Sequence, residues 1–325
     1  MEHSEGVAAD AERVTSRARR LRAPLAAVRR AFPEPRVVFS APDGPDVVGC
    51  GAVATITAGG PDRFRAVRRR ADDLLAGVDG PDRRVARTRL VGGFAFRDDH
   101  EPATPWEGFP GARFVLPRVQ AVRAGGERWL AVTARGPDAD PGAVEAALDR
   151  AVKRVRETDP TAGPPPGVAG VERTPTRAGW REQVRAALDD IEAGRLEKVV
   201  LAQRLIADLH NPFYLVDGLD RLDRSYPDCY RFAVDPGVGG VFFGATPETL
   251  ADLRGDRVET EALAGSAARG GTPAEDERLA LTLVESGKVR HEHEVVAETV
   301  AEQLEGVANG VTAGERTVRR LGNVQ

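Results

Sequence analysis

The amino-acid sequence predicts an α+β fold, with antiparallel sheets and flanking helices. Segments rich in β-branched and apolar residues follow one another along the chain, and helical segments flank them without regular strand–helix alternation. Turn signals such as Gly125-Gly126 and Asp235-Pro236-Gly237 join neighbouring strand segments directly. The chain has 325 residues, 41% of them hydrophobic, which is enough for one large domain or two.

Three helices and five strands are predicted in the first half. Arg89–Phe96 is expected to be a buried strand, and its Gly92-Gly93 pair indicates a bulge or a close approach of another backbone. Arg113–Ala124 and Glu127–Ala134 are expected to form a hairpin. The remaining predicted strands are residues 36–40 and 47–58, and the predicted helices are residues 8–31, 64–78 and 141–157.

A Pro/Gly-rich stretch at 159–170, DPTAGPPPGVAG, is the clearest break in the pattern. It predicts an N-terminal half over 1–158 and a second region over 171–325. The stretch either separates two domains or forms a long loop between two halves of one fold, and we favour the loop.

Four helices and several short strands are predicted after this break. Leu196–Ala207 is expected to be a strand, and the glycine-rich loop at 264–272 can aim backbone N–H groups at an anion. A short hairpin is expected over Gly255-Asp256. The predicted helices are residues 177–193, 211–224, 273–285 and 286–304, and the other strands are 228–234 and 240–245.

Composition excludes several classes of function. The net charge of -4 gives no electrostatic case for binding nucleic acid or an anionic membrane. The N-terminus lacks the apolar region of a secretory signal, and no apolar run approaches a membrane span. Cys50 and Cys229 match neither a disulfide framework nor a metal-site spacing. A cytoplasmic protein is therefore predicted.

Lys198 is a polar residue at the start of an apolar strand segment, where it shares a face with Val200 and Ala202. One interpretation is an edge-strand lysine whose ammonium group reaches water, and the residues alone favour it. The other is a lysine in an apolar setting, where it can lose its proton and act as a base.

Glu248 follows an apolar strand in the segment Phe242–Leu250, FFGATPETL. Pro247 stops the strand, so the carboxylate is held on a stiff corner. Alternatively, Thr246 caps a helix whose first turn contains Glu248, where a carboxylate suits the helix dipole. The residues alone leave both interpretations open.

Glu292 shares one face of a predicted helix with Val289, Val296 and Thr299. A carboxylate on an apolar face needs a partner, such as a metal ion or a buried cation. The two flanking histidines do not form an HExxH motif, and side chains two residues apart on a helix do not converge on one ion.

These segments together resemble the chorismate-utilising enzymes, a family that includes isochorismate synthase, salicylate synthase and the large subunit of anthranilate synthase. The N-terminal half is similar to the isochorismate synthase branch in VGGFAF (91–96) and WEGFPGARFVLPRV (106–119). The segments that carry the resemblance are EKVVLAQR (197–204), FFGATPETL (242–250), VETEALAGSAARG (258–270) and SGKVRHEHEVV (286–296).

The resemblance implies a role for five residues. Lys198 matches the lysine that activates water for attack at C2 of chorismate, and Glu248 matches the acid that protonates the departing C4 hydroxyl. Glu292 matches a Mg²⁺ ligand. Gly265 and Ser266 match the loop whose backbone receives a substrate carboxylate. Displacement of hydroxide by water needs a base and an acid, and a dicarboxylate beside acidic side chains needs a cation.

Lys198 also bears on the reaction type. Relatives that use ammonia typically carry glutamine at this position, so the lysine favours water and hence isochorismate synthase, with salicylate synthase as the alternative. Val289 departs from the family, which usually has an acidic residue there. The resemblance leaves the pathway open between menaquinone and siderophore synthesis, and it does not indicate the oligomeric state.

The resemblance also implies that the family's last segments are missing. Arg319–Gln325 is similar to the lead-in to a segment that continues with His-Leu in the family, so we expect a truncated member. We expect little or no isochorismate synthase activity from it alone, because one Mg²⁺ glutamate without its partner binds the ion weakly. A non-catalytic pseudo-enzyme and a plain Mg²⁺- or anion-binding module stay open as alternatives.

Overall fold

A computed structural model describes residues 13–32, 35–322 and 324–325, and these fall into two compact units. The first unit contains the described residues up to Ala162 together with Leu219–Pro247. The second unit contains Gly163–Gly218 and Glu248–Gln325. The chain therefore leaves the first unit within the Pro/Gly-rich stretch.

The described residues form helices and strands in a mixed order, which confirms the predicted α+β class. The elements up to the Pro/Gly-rich stretch are β1 (Val14–Arg20), α1 (Leu25–Ala31), β2 (Pro35–Ser40), β3 (Asp46–Ala58), α2 (Arg63–Ala76), β4 (Val78–Asp79), β5 (Val91–Phe94), β6 (Ala112–Ala124), β7 (Glu127–Arg135) and α3 (Pro141–Glu157). Those after it are β8 (Val168–Thr174), α4 (Arg177–Glu192), β9 (Arg204–Leu209), α5 (Leu215–Ser225), β10 (Tyr230–Val234), β11 (Phe242–Thr246), β12 (Asp252–Arg254), β13 (Arg257–Glu259), α6 (Pro273–Glu285) and α7 (Gly287–Glu305).

A nine-stranded sheet organises the described part of the first unit. Its strand order is β11-β10-β2-β3-β6-β7-β1-β4, and β5 adds to β6. Every pairing is antiparallel except the short parallel pair of β1 and β4. Gly125 and Gly126 form the turn between β6 and β7. Their φ values are 56° and 76°, a conformation that glycine adopts without strain. The predicted hairpin is thus confirmed.

Helix α3 covers one face of this sheet beside β1 and β7. Its buried side chains recur at the spacing of one helix face, from Val144 through Leu148 and Val152 to Val155. The carboxylate of Asp140 accepts a hydrogen bond from the amide of Ala143 at 2.8 Å and so caps the helix. Full burial of one such valine or leucine contributes about 1.5–3 kcal/mol.

The predicted helix at residues 8–31 is wrong over β1, and its residues 8–12 lie outside the described residues. Residues 14–20 pair along their whole length with β7, and a helix forms only from Leu25. The buried hydroxyl of Thr15 donates to the carbonyl of Ala139 at 2.7 Å, and the hydroxyl of Thr133 donates to that of Ser16 at 3.0 Å. Strand pairing with β7 and the hydrogen bonds of the buried hydroxyl groups therefore stabilise a strand here, despite the helical composition of the segment.

Strand β5 confirms one part of its prediction and contradicts another. Its residues are partly or fully exposed, and Phe94 is 40% exposed, so the strand is not buried. The close backbone approach is confirmed, because a Cβ on Gly92 would lie 1.9 Å from the carbonyl oxygen of Arg113. Only glycine leaves room for β6 at this position.

In the second unit, two small antiparallel sheets accompany the helices. One pairs β8 with β9 and the other pairs β12 with β13. The predicted strand Leu196–Ala207 is wrong over residues 196–203, because β8 pairs with the chain only from Arg204 onward. The helix predicted from Asn211 begins at Leu215, since the backbone and side chain of Asn211 both donate to the carbonyl of Pro166.

The other helices of the second unit follow their predictions closely. Gly194, predicted to end α4, has φ of 70° beyond the end of the helix. Thr272 caps α6 and Ser286 caps α7, each accepting from a backbone amide three residues on. No helix in the described ranges is both long and apolar enough to cross a membrane.

A pair of glycine substitutions tests the close approach of β5 to β6. Gly92→Ala should lower the free energy of unfolding by about 1–3 kcal/mol, because its Cβ would overlap the β6 backbone. Gly93→Ala is the matched control, since a Cβ there meets no atom within 4 Å. Urea unfolding of the two variants measures the difference, and equal stabilities would contradict the packing described.

Candidate functional site

The Thr-Pro-Glu corner comes directly after the edge strand of the large sheet. β11 ends at Thr246, and Glu248 is exposed in a segment that is neither helix nor strand. The next element is β12, which starts at Asp252. The alternative in which Thr246 begins a helix is therefore wrong, and Glu248 lies in an irregular segment immediately after the strand.

Two hydrogen bonds fix this corner to the chain that leads into the glycine-rich loop. The amide of Thr249 donates to the carboxylate of Glu261 at 3.4 Å, and the hydroxyl of Thr260 donates to the carbonyl of Leu250 at 2.8 Å. The guanidinium of Arg319 lies 2.8 Å from Glu261. The segment carrying Glu248 thus has a defined position relative to the start of the loop.

Gly265 packs the glycine-rich loop directly against helix α7. Its φ is 78°, and a Cβ built on it would lie 2.5 Å from a methyl carbon of Val289 and 3.2 Å from one of Leu283. Both the backbone conformation and the space therefore require glycine. Ser266 follows it and is exposed, so the loop presents its polar residue to solvent while its glycine contacts the helix.

Asp276 holds the other end of this loop, a role that the sequence reasoning missed. Its carboxylate accepts from Nε and Nη2 of Arg269 at 2.8 and 2.9 Å, and from the amide of Gly270 at 2.8 Å. These hydrogen bonds, chiefly that from Arg269, lower the pKa of Asp276 to about 2. An aspartate in the first turn of a helix after a glycine-rich loop was the available signal.

A further strand-like contact supports the middle of the loop. The amide of Ala267 donates to the carbonyl of Gln325 at 2.8 Å, and the amide of Gln325 donates back at 2.9 Å. The buried side-chain amide of Gln325 donates to the carbonyl of Asp276 at 3.0 Å. Hydrogen bonds to Gln325 thereby connect both the loop and the start of α6 to the last described residue.

Glu292 lies on α7 with its side chain 35% exposed. Val289 and Val296 are half-buried while Thr299 is exposed, so the predicted apolar stripe is only partly formed. The cation beside Glu292 is Lys288, one helical turn earlier, with its Nζ 3.6 Å from the carboxylate. An exposed pair of this kind leaves the carboxylate accessible to another cation.

The described residues do not by themselves form a complete metal site. Among them, no cluster of three or more His, Cys, Asp or Glu side chains is placed to hold an ion. Glu292 offers one carboxylate, whereas Mg²⁺ is usually held by one or two carboxylates with water and substrate oxygens. Glu292 can thus be one ligand of an ion, and the rest would have to come from elsewhere.

Lys198 is exposed in the irregular segment between α4 and β9. Val200, two residues further on, is 80% exposed, so the apolar strand face predicted around the lysine is not formed. Within the described residues, no hydrogen bond or ion pair joins Lys198 to Glu248, Glu292 or the loop. Contacts therefore connect the corner to the chain that leads into the loop, and the loop to α7, and Lys198 belongs to the same unit.

Comparison with known proteins identifies a family. The family model described as "chorismate binding enzyme" matches residues 13–325. The salicylate biosynthesis isochorismate synthase of Pseudomonas aeruginosa is 33% identical over 256 residues, which are 76% of this chain and 52% of that protein. The anthranilate synthase component 1 of Haloferax volcanii is 33% identical over 290 residues, 81% of this chain and 52% of that protein. The chain thus spans about half the length of these curated relatives.

A solved structure shows the same fold. MenF, the menaquinone-specific isochorismate synthase from Escherichia coli, superposes with a TM-score of 0.70 at 21% identity. The match covers 96% of this chain and 69% of the E. coli chain. The predicted family fold, described from sequence as that of the chorismate-utilising enzymes, is therefore confirmed.

Substitution of Gly265 tests whether the loop needs its contact with α7. Gly265→Ala should destabilise the protein by about 1–2 kcal/mol for the left-handed backbone and by a further 1–3 kcal/mol for the overlap with Val289. Gly255→Ala is the control, because φ there is 68° and a Cβ meets nothing within 4 Å.

Chemical unfolding of both variants separates the destabilisation caused by the left-handed backbone from that caused by the overlap with Val289. Val289→Ala in the Gly265→Ala background should recover part of the loss, since it removes the methyl groups that a Cβ would meet. Equal destabilisation by Gly265→Ala and Gly255→Ala would show that the contact contributes nothing.

The lowered pKa of Asp276 predicts a pH dependence of stability. As pH falls, the unfolded chain binds the proton near the ordinary value of 3.8, whereas the folded protein binds it only near 2. The stabilisation is therefore fully present above pH 3.8 and lost as pH falls toward 2. Asp276→Asn should have a lower free energy of unfolding than the wild type at about pH 6, and this difference should become smaller near pH 2.

Urea unfolding at the two pH values tests the assignment. The control is Asp252→Asn, whose pair with Arg254 is exposed and should contribute little. If the difference in free energy of unfolding between Asp276→Asn and the wild type were the same at both pH values, the ion pair would be ruled out as its cause.

Proposed function

The chain belongs to the chorismate binding enzyme family, and on that premise we propose that it contributes to an isochorismate synthase, which isomerises chorismate to isochorismate. The observation that carries the proposal is the match over residues 13–325. It is combined with hydrogen bonds from the Glu248 corner to the chain that leads into the loop, and with packing of the loop against α7. Isochorismate synthases are among the relatives by sequence and by fold.

The reaction that we propose is an allylic displacement. Lys198 in its neutral form takes a proton from water as the oxygen forms a bond to C2. Both conjugated ring double bonds shift by one position, and the C4–O bond breaks. Glu248 in its protonated form donates a proton to the departing hydroxyl, which leaves as water. One water is consumed and one is released, and the two side chains end in the opposite protonation states.

Each remaining site residue has a role in binding. Gly265 and Ser266 direct backbone N–H groups at a substrate carboxylate, because the loop is held in position by its contacts with α7 and Asp276. Glu292 supplies one ligand for a Mg²⁺ ion, which would balance the charge of a dicarboxylate substrate. Since the described residues do not complete a metal site, the steps above are assigned to side chains only.

A non-catalytic chorismate-binding role is the second candidate. The exposed position of Lys198 in an irregular segment favours it for the 325-residue chain alone. The two candidates differ in turnover and not in binding.

Assay of the purified chain with chorismate and Mg²⁺ tests the proposal. We expect chorismate binding with little or no isochorismate formation by the chain alone. Any rate that is measured should fall by about 10²–10⁴-fold in Lys198→Ala and in Glu248→Gln, because each removes one proton-transfer group. Chromatography of the products and calorimetry of binding give the two readouts.

Lys153→Ala is the matched control, because Lys153 lies on α3 in the first unit and pairs there with Glu157. Turnover that survives Lys198→Ala would contradict the assigned base. Formation of an aminated product from ammonia would contradict water as the nucleophile. Failure to bind chorismate would contradict both candidate functions of the isolated chain.

A further inference from the structure

A short arginine-rich turn precedes strand β5 in the first unit. A 3₁₀ turn covers Arg84–Ala86, and the amide of Arg87 donates to the carbonyl of Arg84 at 3.4 Å. Side chains three residues apart lie one above the other in a turn of this kind, so Arg84 and Arg87 share one side of it. Both residues are exposed, and Arg89 follows two residues later. Residues 84–89 are called the basic turn below.

The three arginines of the basic turn have no carboxylate partner among the described residues. No ion pair in the described ranges includes Arg84, Arg87 or Arg89, whereas the preceding Arg83 lies 3.5 Å from Glu127. Burial, together with the charge of Arg84, lowers the pKa of Arg89. The guanidinium groups of Arg84 and Arg89 therefore repel each other, and no described carboxylate offsets their charge.

Hydrogen bonds hold the basic turn in one conformation. The side chain of Gln120 on β6 is 1% exposed, and it accepts from the amide of Arg89 at 2.9 Å and donates to the carbonyl of Arg87 at 3.0 Å. Nη1 of Arg89 donates to the carbonyls of Val85 and Arg87 at 3.0 and 2.7 Å. Its Nη2 donates to the carbonyl of Arg84 at 3.2 Å. Arg89 thus fixes the backbone, and the guanidinium groups of Arg84 and Arg87 remain available to a ligand.

We propose that the basic turn binds a small anion with a phosphate group, which Arg84 and Arg87 contact directly. The planar N–H donors of a guanidinium match two phosphate oxygens, and hydrogen bonds between charged groups are stronger than those between neutral ones. A phosphate dianion also offsets the repulsion among the arginines. Because the backbone of the turn is already fixed, binding loses little conformational entropy. Arg89 adds a third positive charge without contacting the anion.

The size and charge of the basic turn favour a small anion over a polymer. Its arginines lie within six residues of a chain with a net charge of -4, whereas nucleic acid is bound by extended basic surfaces. The alternative is a set of solvated arginines without a ligand. Arg65 and Arg68 on α2 show the ordinary arrangement of such arginines, because they pair with Asp62 and Asp72. Asp82, just before the basic turn, forms no ion pair with its arginines within the described residues.

Titration with inorganic pyrophosphate tests the inference. The full 325-residue chain is titrated by calorimetry at fixed ionic strength and without divalent cations. We expect saturable binding at one site and slowed amide hydrogen exchange over residues 84–89. Arg84→Ala with Arg87→Ala should weaken binding by at least about tenfold, because the pair of substitutions removes both direct contacts. Citrate, a tricarboxylate, should compete with pyrophosphate only weakly.

The matched control is Arg65→Ala with Arg68→Ala, which removes the same charge from exposed arginines that have partners. It should leave binding within about threefold. Circular dichroism of both pairs verifies folding, and Arg84→Ala alone gives a milder variant of the basic turn. Equal weakening by the two pairs, or no binding of pyrophosphate, would overturn the proposal. Competition by citrate as strong as that by pyrophosphate itself would overturn the assignment of a phosphate group.

The inference does not depend on the proposed reaction. The basic turn belongs to the first unit, whereas the residues to which we assign the reaction and substrate binding belong to the second unit. Excess chorismate should therefore leave pyrophosphate binding unchanged. Displacement of pyrophosphate by chorismate would place the probe at the glycine-rich loop and overturn the proposal.

Discussion

The antiparallel ladder between β3 and β6 is the constraint on which the first unit depends. Both strands have 13 residues, and their pairing runs from Asp46–Arg123 to Ala58–Ala112. Every other strand of the sheet is attached outward from this pair, either directly or through β2 and β7. Slippage by one residue would turn the apolar face to solvent, so the ladder sets the register of the whole sheet. The corner that carries Glu248 begins where this sheet ends.

The second unit is held by a different kind of interaction. Its described residues bury little apolar surface, and the loop at 264–272 is positioned instead by Asp276, which accepts from Arg269 and Gly270. Charge-assisted hydrogen bonds of this geometry are directional, so they specify the path of the loop closely.

The structure confirms those features of the candidate site that depend on local sequence, namely where a strand ends and where a helix begins. Pro247 stops β11 regardless of tertiary context, and Ser286 caps α7 through an amide three residues away. Lys198 is different, because a strand requires a partner strand that sequence does not specify. The pairing of β9 with β8 starts only at Arg204, so the lysine remains in an irregular, exposed segment.

The sequence by itself determined the α+β class, the family, and most helix and strand positions, because periodicity, caps and glycine turns act over a few residues. Tertiary structure alone decided that residues 14–20 form a strand, since their pairing with β7 outweighs a helical composition. It also decided that Gly265 packs against Val289 and that Asp276 holds Arg269. Those contacts join segments that are 7 to 24 positions apart, and only the folded chain brings such segments within hydrogen-bonding or van der Waals distance.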